Sequence, residues 1–130
     1  MTTPPRRTFA ESKAKADEFL KAHSLGVFAT GKRDGSPQQS ILRYRFDGTE
    51  VVINTGDAAA KVKNVRKNPR VSLAVTDGPT CVVLYGKARL LQGAEAEAHE
   101  GGPVESGRQA GTPTLIVFAP DTYRWARLDG

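Results

Sequence analysis

A mainly antiparallel β fold with two helices, curled into a small barrel, is what this 130-residue sequence predicts. Three observations predict it. Short apolar and β-branched runs recur along the chain, separated by turn pairs such as Asp34-Gly35, Asp47-Gly48 and Asn68-Pro69. Most connections between those runs are too short for a crossover helix, so neighbouring strands must run antiparallel. Thirteen glycines and eight prolines supply many turns, and closing six or seven strands on one another hides their edges.

The elements follow in order. Residues 1–7 are polar, carry two prolines and are expected to be loose. TFAE at 8–11 fits a capping box, with Thr8 as N-cap and Glu11 three positions on. The helix then runs to about His23, with Phe9, Ala16, Phe19 and Leu20 on one face. LGVFAT (25–30) is a buried strand, and Asp34-Gly35 signals a hairpin behind it. From Gln38 to Phe46, Leu42, Tyr44 and Phe46 alternate with Ile41, Arg43 and Arg45. FDGTE is a second tight turn, leading to VVINT at 51–55.

A short helix comes after this third strand, capped by Asp57 and stopped by Asn68-Pro69. RVSLAVTDG is an alternating strand with a turn, and TCVVLYGKARLLQ (80–92) a long one with a bulge or bend at Gly86. Residues 93–112 hold five glycines and one proline and read as a glycine-rich loop, with at best one or two helical turns in AEAEAHE. TPTLIVFAP (112–120) is a strand, and DTYRWARL a last extended segment. No repeat or second core is visible, so one domain spans 1–130.

Composition narrows the function. The formal charge is +5, which suits an anionic partner. Lys61, Lys63, Arg66, Lys67 and Arg70 fall within ten residues, a run that a solvated helix face also explains. Cys81 is the only cysteine, which excludes an internal disulfide and a thiolate metal cluster and suggests a reducing cytoplasm. No apolar run reaches the roughly 20 residues of a membrane span, and no apolar stretch follows Arg6 and Arg7, so no secretory signal is expected. His23 and His99 lack ligand-spaced neighbours, the serines lack a nucleophile elbow, and neither a P-loop nor a dinucleotide fingerprint occurs. Any enzymatic chemistry would therefore belong to a cofactor. A nucleic-acid-binding barrel stacks bases on exposed aromatics. Here the one Trp, three Tyr and five Phe fall mostly at core-patterned positions, which makes nucleic acid an unlikely partner.

The stretch TGDAAAKVKNVRKNPRVS (55–72) carries the sharpest signal. A strand ending at Thr55, a glycine and a helix N-terminus are the parts of an anion pocket. Lys61, at the end of the first turn, can reach an anion held there, whereas a cap by Asp57 would compete for the same N–H groups.

With GVFAT, the DGSPQ turn, Thr55 six residues before Lys61 and the KxxNxxxNPRVS continuation, the sequence resembles the split β-barrel flavin and deazaflavin oxidoreductases. That superfamily includes pyridoxamine 5′-phosphate oxidase and the enzymes that use coenzyme F420. The likeness covers residues 19–92 well and 112–127 loosely. It implies an FMN-binding split barrel acting as a homodimer, with the cofactor across the interface. It also implies that Lys61 meets the cofactor's phosphate and that Asn54 and Thr55, at the strand end, lie beside its ring. Gln38 and Ser40 would approach the ring and its side chain, and Lys63 would add positive charge. Cys81 and Val82 would close over the partner chain's cofactor, and Trp125 would stand near that site. Trp125 as a core or interface anchor is the competing role.

Flavin-dependent oxidases of this kind place a serine and an arginine where this chain has Ala59 and Ala60. Losing the arginine removes charge-assisted hydrogen bonds from a phosphate site. That favours coenzyme F420, whose phosphodiester and anionic tail can rest on a broader basic surface of Lys61, Lys63 and Arg66. The resemblance thus implies hydride transfer between the deazaflavin and a small electron-poor organic substrate. An FMN-binding oxidase or electron carrier, and a non-catalytic protein that stores or delivers F420, are the alternatives. No catalytic residue is legible, and Tyr44 and Arg43 are the proton donors to test.

Overall fold

The computed structural model describes residues 9–106 and 109–128, with side chains from residue 13. The expected capping box at Thr8 and the N-terminal tail lie outside these residues. Ten elements follow one another: α1 (Phe9–Ala22), β1 (Leu25–Gly31), β2 (Pro37–Arg43), β3 (Arg45–Phe46), β4 (Val51–Gly56), α2 (Ala60–Lys67), β5 (Arg70–Asp77), β6 (Thr80–Gln92), α3 (Gly93–Glu100) and β7 (Pro113–Arg127).

The strands form one antiparallel sheet in the order β2-β1-β5-β6-β7-β4-β3. Its two ends, β2 and β3, are separated along the chain by Tyr44 alone. A single bent segment therefore pairs with β1 through its first half and with β4 through its second, and the sheet curls round to meet itself. Tyr44 holds the bend: its N–H donates to the Ser24 carbonyl (2.9 Å) and its hydroxyl to the Leu20 carbonyl (2.8 Å).

Alternation along the strands decides what lies inside. Phe28, Leu73, Leu84, Ile53, Ile116 and Phe118 point into the curl, where Phe28 and Phe118 meet with ring centroids 6.3 Å apart. Ala16 and Leu20 of α1 and Val62 and Val65 of α2 close the same core. Among the described residues, no helix is long and apolar enough to cross a membrane.

Three expectations need correction. Asp57 does not cap α2: the N-cap is Ala59, without a side-chain hydrogen bond, and the helix begins at Ala60. The Asp57 carboxylate instead accepts the N–H of Thr112 (2.9 Å). Part of the glycine-rich loop is a helix, α3. Its Ala96 packs on Val52, Leu91, Leu115 and Val117, a smaller core on the opposite face of β4, β6 and β7. Gly101 ends α3 in the left-handed conformation (φ 74°), where glycine carries no Cβ penalty. Last, residues 113–127 form one strand, not two. The pairing shifts register where Tyr85 faces Thr122 and Gly86 faces Pro120, so Asp121 is the extra residue of a bulge. The bend foreseen at Gly86 is this irregularity.

Candidate functional site

A cavity of about 760 Å³ opens where the bent β2–β3 segment faces the end of β4 and the start of α2. β4 brings Asn54 and Thr55 to its wall, α2 brings Lys61, and the chain ahead of β7 adds Ser106 and Gln109. Arg43 and Arg45 line it as well.

Lys61 is the feature that defines the cavity's chemistry. It is 8% exposed and makes no hydrogen bond or ion pair with the described residues. Burial pushes its ammonium pKa below the usual lysine value. Thr55 is fully buried and its hydroxyl oxygen has no partner either. A buried hydroxyl without a partner is costly in a folded protein unless something else satisfies it, and the Lys61 ammonium stands in the same cavity with no counter-charge among the described residues. An anionic, hydrogen-bonding group fits both. Because Asp57 is engaged with Thr112, its carboxylate does not cap the first turn of α2 and does not compete with an anion for the N–H groups there, although its charge remains nearby.

The arginines differ. Arg45 pairs with Glu100 of α3, so its charge is already balanced, whereas Arg43 is exposed at the rim without an ion-pair partner among the described residues. Tyr44 also lines the cavity, but its hydroxyl is bound to the Leu20 carbonyl and burial raises its pKa to about 12. That makes it a poor proton donor.

Of the residues singled out from sequence, the structure gathers Asn54, Thr55 and Lys61 around this cavity. Gln38 and Ser40 share an inward face of β2 with Leu42, which does line it, yet neither lines it themselves. The Gln38 side-chain oxygen accepts from Asn64 Nδ2 (3.0 Å) and Thr30 Oγ1 (3.2 Å), fastening β2 to α2. Lys63 is exposed and outside the cavity. Cys81 is half-buried on the outer face of β6, while Val82 is fully buried in its own core, so only the Val82 backbone is available to another chain. Trp125 lines a separate depression with Phe19 and His23, beneath the Lys15 ammonium 5.8 Å from its ring centroid.

Sequence reasoning missed Arg45, Ser106 and Gln109 as wall residues. The exposed half of the 41–45 alternation pointed to the arginine. Nothing local marked Ser106 or Gln109, because only the long-range docking of their segment brings them in.

Several solved structures share the architecture. One named an F420 reductase is 22% identical, with a TM-score of 0.67 over 83% of this chain and 94% of that one. A conserved hypothetical protein from Mycobacterium tuberculosis is also 22% identical, with a TM-score of 0.72 over 96% of this chain and 90% of its own. A heme binding protein from Mycobacterium smegmatis, 22% identical with a TM-score of 0.68, is covered over 55% of its length by 94% of this chain. These likenesses concern the fold. The sequence profile described as Pyridoxamine 5′-phosphate oxidase matches residues 12–125. That span runs from α1 through the barrel and the lysine cavity almost to the end of β7, and on it the chain belongs to the pyridoxamine 5′-phosphate oxidase family.

Proposed function

We propose that this chain is an F420-dependent oxidoreductase that binds the deazaflavin in the Lys61 cavity as a homodimer. Its substrate is a small electron-poor organic molecule. The single observation that carries the cofactor assignment is Lys61 itself, a largely buried side chain whose charge has no counter-ion among the described residues, in a cavity large enough for a cofactor ring. When bound, the coenzyme supplies two-electron hydride chemistry. The chain's own residues do the rest. Lys61 holds the anionic arm, with Arg43, which has no ion-pair partner among the described residues, at the rim beside it. Thr55 and Asn54 offer hydrogen bonds to the polar edge of the ring. Alanines at 59 and 60, where an arginine would grip a terminal phosphate, support the deazaflavin over FMN.

A second reading, a protein that stores or delivers the coenzyme, is favoured by Tyr44. Its proton is committed to a backbone carbonyl, which removes this tyrosine as a ready acid. Turnover of reduced coenzyme with a panel of enones and quinones separates the two.

Equilibrium titrations of the protein with F420 and with FMN in identical salt test the assignment, and F420 is expected to bind more tightly. Lys61→Met should weaken that binding by roughly 1.5–3 kcal/mol, the worth of one hydrogen bond to a charged group. The same variant should raise the melting temperature of the ligand-free protein, because an unpaired buried charge is removed while its stem is kept. Equal affinity in wild type and Lys61→Met would remove the cavity from consideration as the cofactor site.

A further inference from the structure

The segment ahead of β7 is clasped to the start of α2. The N–H of Thr112 donates to Asp57 Oδ1 (2.9 Å), the N–H of Asp57 donates to the Thr112 carbonyl (3.0 Å), and the N–H of Ala58 donates to the Ala110 carbonyl (3.1 Å). Two glycines make the approach possible. A Cβ on Gly56 would overlap the Ala110 carbonyl, and one on Gly111, which sits at φ 99°, would overlap the Asp57 carboxylate. Just upstream of the clasp stands Gln109, which with Ser106 supplies this segment's part of the wall of the cavity that Asn54, Thr55 and Lys61 also line.

We propose that Asp57 is a positioning residue that holds this wall in place, and so decides how closely the cavity fits its ligand. The proposal rests on the cofactor reading above. It assigns to Asp57 an effect opposite in sign to that of its charge. As a bare carboxylate near an anion site, Asp57 would weaken anion binding, and its removal would strengthen it. As the clasp, Asp57 strengthens binding, because without it Ser106 and Gln109 must be ordered at the ligand's expense. An asparagine keeps the acceptor oxygen for Thr112 and discards the charge, so it separates the two effects.

The test compares wild type, Asp57→Ala, Asp57→Asn and Gln109→Ala by hydrogen exchange of the ligand-free protein and by titration with F420 and FMN. In Asp57→Ala, the amides of Ala58 and Thr112 should exchange faster while those of β6 keep wild-type protection. Affinity for whichever cofactor the wild type binds should fall by about five- to tenfold, the worth of a hydrogen bond. Asp57→Asn should restore slow exchange with affinity at or above wild type. Adding Gln109→Ala to Asp57→Ala should cost less than it does alone, since the two act through one wall. Unchanged exchange in Asp57→Ala overturns the proposal, and so does faster exchange with unchanged or tighter binding. If the wild type binds neither cofactor, the cofactor reading fails, and the exchange rates alone decide whether Asp57 holds the wall.

Discussion

Both ring nitrogens of His23 face acceptors, Nε2 the Asp77 carboxylate at 3.0 Å and Nδ1 the Phe19 carbonyl at 2.7 Å. A neutral imidazole has one N–H and can satisfy only one of them, so the pair of contacts favours the imidazolium. The Asp77 hydrogen bond is the larger cause, with Phe19 second, and together they raise the pKa above 6.5. A raised folded-state pKa stabilises the fold fully below the unfolded value and ceases to do so as pH climbs through the folded one. The melting temperature should therefore decline from pH 6.5 upward, and His23→Gln should flatten that part of the curve. Asp77 is largely exposed, so added salt should shrink the difference between the two proteins. A pH profile of melting temperature that is the same for both would assign the contact no thermodynamic role.

At the scale of elements, α2 is where sequence and site meet. Ala60 is its first residue and is exposed, so an arginine there gains a place at the helix start without disturbing the core. Ala60→Arg should raise FMN affinity more than F420 affinity, because a bidentate fork suits a terminal phosphate better than a diester. Equal gains in parallel titrations would mean that the new charge acts only at long range. The strands were legible because alternation is a local property: Leu42, Tyr44 and Phe46 face inward as their spacing indicated. Lys61 was legible for the same reason, through its distance from Thr55 and the helix start. Asp57 was misread because a capping aspartate and a clasping one look alike until the partner, 55 residues away at Thr112, is known. The helix α3 was legible only as one or two turns in AEAEAHE, because its amphipathicity is weak. One alanine, Ala96, forms its buried contact, and polar contacts add to it: His99 Nε2 meets Glu50 (3.2 Å), and Glu100 pairs with Arg45. Such pairs carry no periodic signal.

At the scale of the whole molecule, α3 covers the outer face of β4, β6 and β7, while among the described residues no helix packs on that face of β2 and β1. Cross-strand register aligns Ile41, Val27, Ala74 and Val83 in a row over β2, β1, β5 and β6, and Ile41 is 81% exposed. Ile41 also lines the rim of the Lys61 cavity, so a second copy seated on this row would reach the site. That supports the homodimer in the proposed function. Ile41→Asp lies at an exposed edge position and should leave the melting temperature nearly unchanged. It should convert a dimer to a monomer by light scattering and weaken cofactor binding with it. A wild-type monomer, or a dimer untouched by the substitution, would put the interface elsewhere. The place of β7 has a further consequence. This last strand lies between β6 and β4, so the two halves of the sheet have no partner for each other until it arrives. On a ribosome the β1–β2 and β5–β6 hairpins can pair as they emerge, but β4 must wait with an open edge until residues 113–118 are free. The nascent chain is thus most exposed to aggregation in the interval between synthesis of its third and its final long strand.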